Sequence, residues 1–192
     1  MGFSIIETYF DAIILIQADV YEDERGIFME SYHHEAFRAL GIEEDFVQEN
    51  HSISALGVIR GMHFQWDKPM GKLLRVTSGR AHVKEIDIRK NSPTLGQSMH
   101  VELSASKPYL LWVPPGFANG FMSMEHGTEM IYKCSALYNP SAESGIAWND
   151  PALALEWPVH EINTEPILSI KDTQAHTLAE WLQRPESSAF MA

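Results

Sequence analysis

The chain has 192 residues and a formal net charge of −12, from 26 acidic and 14 basic residues. That balance argues against a general nucleic-acid binder, which needs a basic face, and means that any phosphorylated ligand must find a local cationic pocket. Cys134 is the only cysteine, so no intramolecular disulfide can form. No stretch approaches the roughly 18 apolar residues of a membrane span, and the opening MGFSIIETYF has no basic leader segment. The expectation is a cytoplasmic chain that touches neither membrane nor nucleic acid.

In chain order, strand-like runs dominate. They are IIETYFDAIILIQADVY, GIFMESY, FVQENHSIS, VIRGMHF, KLLRVTS, RAHVKEIDIR, MHVELS, YLLWVP and MIYKCSALY. Turn-forming groups such as DERG, TSG, KNSPTLG and VPPGFANG separate them. Only HHEAFRALG, near 33 to 41, and HTLAEWLQR, near 176 to 184, read as helices. No repeat, low-complexity tract or linker divides the chain, so residues 1–192 are expected to form one domain. Many short strands with two short helices predict a mainly β fold, a sandwich or barrel of the jelly-roll kind.

Side-chain alternation predicts which residues share an interior. Tyr132, Cys134, Ala136 and Tyr138 fall on one face of MIYKCSALY. Lys72, Leu74 and Val76 share a face of KLLRV, where a lysine is costly without a negative partner. Arg60 and His63 should point to opposite faces of an ideal strand. Gly61 lies between them and permits a bulge that turns both inward.

His63 has three readings: a packed core histidine, a metal ligand or a general base. A metal site in a small β-barrel usually has a second histidine two residues on and a third in a P-x-G-x-x-H turn. This chain has Gln65 and Asn119 at those places, so no metal is expected. A base suits histidine because its ordinary pKa lies near neutrality.

The sequence resembles the dTDP-4-dehydrorhamnose 3,5-epimerase family over nearly its whole length. The resemblance rests on DERGIFMESY, FVQENHSIS, GVIRGMHFQ, GKLLRV, DIRKNSPTLG, VPPGFANGF, IYKCSALYNP, GIAWNDPALALEWP and ILSIKD, in the family's order. It implies a cupin-type jelly roll that forms homodimers. It also implies epimerisation of a nucleotide-linked 4-keto-6-deoxy sugar through an enolate, at carbons 3 and 5, without cofactor or metal. His63 would be the base and Asp172 its orienting partner. Lys72 would stabilise the enolate oxygen, and Tyr132 would return a proton from the opposite face. Arg25, Phe28 and Glu30 would contact the nucleotide from the partner subunit. Gln48, Asn50, Arg60 and Lys171 would surround the diphosphate and sugar, Tyr138 would pack on sugar or base, and Asn119 would line the sugar region.

Two positions depart from the family. Asn119 replaces a histidine of the PPGFAHGF turn, and Val83 replaces an aspartate. Glu85 lies on the same strand face as Val83, displaced by roughly 6 to 7 Å, and is placed to return a carboxylate near the pocket. Its alternative is a charge at the strand's outer end. The departures are expected to alter which nucleotide-linked keto sugar binds, or to confine epimerisation to a single carbon. A sugar ketoisomerase and a non-catalytic sugar-nucleotide sensor are the competing functions. His63, Asp172, Lys72 and Tyr132 together argue against a sensor, which needs no acid and base on opposite faces of a sugar.

Overall fold

A computed structural model of the chain describes residues 2–191. Thirteen strands form in order: β1 Phe3–Tyr9, β2 Ile13–Ala18, β3 Tyr21–Asp23, β4 Gly26–Phe28, β5 Gln48–Ser54, β6 Ile59–Gln65, β7 Lys72–Ser78, β8 Arg80–Asp87, β9 Ser98–Ser104, β10 Tyr109–Val113, β11 Phe117–Ser123, β12 Thr128–Cys134 and β13 Glu143–Gly145. Four short helices accompany them: α1 His34–Ala39, α2 Val159–Ile162, α3 Ile170–Thr173 and α4 Leu178–Gln183. A 3₁₀ turn spans Pro185–Ala189. The two expected helices are α1 and α4. In α1 the His33 side chain caps the first turn, and Gly41, at φ +89°, stands just beyond the helix end. In α4, Thr177 and Glu180 form a capping box, and Leu178 and Trp181 face inward.

The strands build a jelly roll of two facing sheets. One has the order β1-β2-β10-β7-β12-β5, the other β13-β6-β11-β8-β9, and β3 and β4 form a separate hairpin. Between the sheets, Leu74, Val76, Leu111, Val113 and Met130 of the first meet Ala81, Val83, Leu103, Phe117 and Phe121 of the second. Both outer faces are covered as well. Phe37 and Ile42 pack over Ile16, Leu73, Leu110 and Trp112. The C-terminal Trp157, Leu178, Trp181 and Phe190 pack over Ile59, Met62, Phe64, Ile86 and Met122. Double-sided burial explains why YLLWV and KLLRV read as continuous apolar runs rather than clean alternations. Among the described residues no helix is long and apolar enough to cross a membrane.

Two local features position the site. The first lies in β6, where Arg60 pairs with Phe121 and His63 with Asn119. Three steps on β6 thus match two on β11, so β6 carries one extra residue, the bulge expected at Gly61. Arg60 and His63 consequently face the same cleft, while Met62 and Phe64 pack outward. Gly61 takes φ +145°, and a Cβ there would stand 2.5 Å from the Gly120 Cα. Only glycine fits such a position. The second feature is the return of the chain beside β6. Ile59 N–H donates to the Ile167 carbonyl at 2.9 Å. This pairing delivers α3, with Lys171 and Asp172, next to His63.

One alternation was cut short. β12 ends at Cys134, so Ala136 and Tyr138 do not continue its face. Tyr138 reaches the cleft from the following loop instead, which Gln65 pins. The Gln65 amide donates to the Lys68 and Leu137 carbonyls and accepts from the Asn139 N–H at 2.8 Å.

Candidate active site

The cleft opens at the end of the roll where inward positions turn from apolar to polar. It consists of two adjoining pockets of about 270 and 90 Å³ that share His63, Lys72, Tyr132 and Glu143. Leu74, Phe121 and Met130 form its apolar floor. A larger hollow of about 610 Å³ lies between β2 and the β3–β4 hairpin. It is lined by Asp19, Tyr21 and Glu22 and by no histidine, lysine or arginine, so it offers no cation for an enolate oxygen or a phosphate.

His63 Nε2 lies 2.5 Å from Asp172 Oδ1. A buried carboxylate there accepts the Nε2 proton and leaves Nδ1 as the basic nitrogen of the neutral ring. Asp172 is itself held on both sides. It sits in the first turn of α3, where the Ser169 hydroxyl accepts from its N–H and donates to Oδ2 at 2.8 Å. Burial pushes the Asp172 carboxyl up, but His63, Ser169 and Lys171 outweigh it and hold the group below the ordinary aspartate range.

Lys72 enters from the first residue of β7. Its ammonium donates to the Asn119 Oδ1 at 3.3 Å and to the His63 carbonyl at 3.4 Å. Burial draws its pKa down, while Glu85, Cys134 and Glu143 resist that fall. Asn119 passes the contact on: its Nδ2 donates to Glu85 Oε1 at 2.6 Å. Glu85 is fully buried, and its second oxygen has no partner. The inward placement expected for Glu85 is therefore what the structure shows. Val83 packs in the apolar interior.

Tyr132 lies across the cleft on β12. Burial raises its pKa, with a hydrogen bond from Asn50 opposing. Asn50 in turn accepts from the Gln48 amide at 3.0 Å, and Gln48 Oε1 accepts the Tyr138 N–H at 2.9 Å. Tyr138 Oη donates to Glu143 Oε2 at 2.6 Å, and Glu143 also bonds to Lys171. Arg60 reaches the cleft while its Nε donates to Ser54 Oγ at 3.2 Å.

The fold thus gathers His63, Asp172, Lys72, Tyr132, Asn50, Arg60, Asn119 and Tyr138 around one cleft, with Gln48 and Lys171 bonded to its walls. Arg25, Phe28 and Glu30 do not line it. Arg25 and Phe28 project from the β3–β4 hairpin, exposed, with Arg25 paired to Asp23. Glu143 and Ser169 were missed. Ser169 carried a usable signal, because S-I-K-D is a serine three residues before an acid, a helix-start pattern. Glu143 carried none: SAESG is a short polar run like any loop. Among the described residues no group of three or more His, Cys, Asp or Glu is placed to hold a metal ion.

The family model described as dTDP-4-dehydrorhamnose 3,5-epimerase matches residues 7–180. The chain belongs to that family. Membership makes it an isomerase of the racemase and epimerase class. The dTDP-4-dehydrorhamnose 3,5-epimerase of Methanothermobacter thermautotrophicus is 42% identical over 178 residues, covering 93% of this chain and 96% of that protein. The enzyme of the same name from Salmonella typhimurium is 42% identical over 180 residues, covering 93% and 97%. A crystal structure of dTDP-6-deoxy-D-glucose-3,5-epimerase from Legionella pneumophila, in complex with dTDP-4-keto-L-rhamnose, superposes with a TM-score of 0.90 at 38% identity. It covers 97% of each chain.

Proposed function

We propose that the chain epimerises dTDP-4-keto-6-deoxyglucose to dTDP-4-keto-rhamnose by proton transfer at carbons 5 and 3. The observation that carries this reading is the 2.5 Å His63–Asp172 contact in a cleft that also holds Lys72 and Tyr132. His63 Nδ1 removes the proton beside the ketone, and the C–H electron pair moves into the enolate, leaving negative charge on the carbonyl oxygen. The Lys72 ammonium stabilises that charge. Asp172 stabilises the imidazolium. Tyr132 then donates its phenol proton to the opposite face of the same carbon. Solvent removes the proton from His63 and returns one to Tyr132, which resets the site for the second carbon. No electrons leave or enter overall, so the reaction requires no redox carrier.

The nucleotide half calls for cations and aromatic faces outside the cleft. Arg60 and Lys171 suit the diphosphate, Arg60 through its planar fork. Arg25 and Phe28 stand on the exposed β3–β4 hairpin and Glu30 just beyond it, away from the His63 cleft of their own chain. In a homodimer this hairpin would lie over the cleft of a second copy and grip the nucleotide there.

The test is incubation of the purified protein with dTDP-4-keto-6-deoxyglucose in D₂O, with the sugar protons followed by NMR. Deuterium entering at both carbon 3 and carbon 5, with inversion, is the expected result. Entry at one carbon only would make it a single-carbon epimerase. Movement of the carbonyl would make it a ketoisomerase. Binding without any exchange would make it a sensor.

A further inference from the structure

The buried acid behind the cleft has no place in the proton transfers above. Glu85 stands directly across from Asn119 in the β8–β11 register. It is 0% exposed, it bonds to Asn119 through one oxygen, and its other oxygen is buried without a partner. Lys72 can only donate, so the Asn119 carbonyl must face it and the Asn119 NH₂ must face Glu85. The result is a directional chain from ammonium to amide to carboxylate.

The other acids of the cleft are already engaged. Glu143 pairs with Lys171 and accepts from Tyr138, and Asp172 pairs with His63. Burial pushes the Cys134 thiol up, toward its neutral form. Arg60, His63 and Tyr132 complete the titratable and charged lining that faces Lys72, and the Lys171 charge opposes protonation of Lys72. Glu85 is left as the one carboxylate whose only polar contact leads to Lys72.

We propose that Glu85, acting through Asn119, is the positioning residue that fixes the Lys72 ammonium and supplies its counter-charge. Its role rests on the reading of Lys72 as the cation for the enolate oxygen. Burial pushes the Glu85 carboxyl well up and draws Lys72 down, and the attraction between the two opposes both shifts. The Asn119 amide holds Lys72 in line without letting the carboxylate reach the sugar. Val83 and Asn119 then make sense together with Glu85. The carboxylate sits one pleat repeat along β8 from position 83, directly opposite an amide instead of a histidine.

The experiment compares the full chain with Glu85→Gln, which keeps the shape, and Glu85→Met, which keeps the length and removes polarity. The Lys72 side-chain carbon is followed by NMR across pH, assigned with Lys72→Arg, and kcat and KM are measured over the same range. The Lys72 titration midpoint is expected to fall by about one pH unit in both variants. The basic limb of kcat should move with it, giving roughly tenfold lower kcat on that limb, while KM changes by less than about threefold. Glu85→Asp, which retains the charge, should restore most of the midpoint. An unchanged Lys72 midpoint in whichever of the two variants folds would overturn the proposal. A displaced midpoint with no exchange even by the unaltered protein would instead overturn the epimerase reading and leave the Glu85–Lys72 coupling standing.

Discussion

The two ends of the same barrel use the same inward-facing positions for opposite purposes. On β7 the inward series runs Lys72, Leu74, Val76, and on β8 it runs Ala81, Val83, Glu85. At one end, toward the β7–β8 turn, Val76, Ala81 and Val83 close into a dry core with Leu103. At the other, two strand positions on from Leu74 and Val83, Lys72 lines the cleft and Glu85 lies buried behind it. Chemistry therefore sits where the sheets part, and stability sits where they meet. A lysine that would be costly in the first region has partners in the second.

Variants should separate the two ends. The largest effect is expected from His63→Asn, which removes the base. Exchange at both carbons should fall by about 10²- to 10⁴-fold while the thermal midpoint moves little, read by NMR and calorimetry on one preparation. Comparable activity with the base removed would dissolve the distinction. Leu103→Ala, at the closed end, should do the reverse. It should cost about 2–5 kcal/mol of stability in denaturant titration and leave kcat per folded molecule unchanged. A loss of kcat there would mean that the core end tunes the cleft.

A finer effect concerns acid. The Asp172 carboxyl is held low in the folded chain, so the unfolded chain binds more protons below the ordinary aspartate range. The stability from this group is fully present above the unfolded value near 3.9 and is lost as pH falls through the folded value. Asp172→Asn should therefore flatten the acid side of the stability–pH curve and leave it unchanged near neutrality in slope. Parallel acid limbs in the two proteins would show that Asp172 contributes nothing to acid sensitivity.

Much of this contrast was legible in the residues, for reasons that differ from place to place. The bulge at Gly61 could be read because a glycine between two residues of conflicting face is where a strand most easily takes in an extra residue. The inward lysine and Glu85 followed from a period of two. The strand order did not follow. β2 lies beside β10 and β7 beside β12, and such distant pairings leave no local pattern. The covered outer faces also blurred the alternation that would have marked the inside. α2 and α3 have four residues each, too few for a helical period to register, although the Ser169 cap announced α3. Glu143, which ties Lys171 and Tyr138 to the cleft wall, became visible only when β13 was laid beside β6.

The most direct test of acid and base on opposite faces is Tyr132→Phe with dTDP-4-keto-6-deoxyglucose in D₂O, scoring both deuterium content and configuration at carbon 5. With His63 intact and the opposing acid removed, the account expects deuterium to enter with the original configuration retained. Inverted product at the unaltered rate, or no deuterium at all, would contradict it.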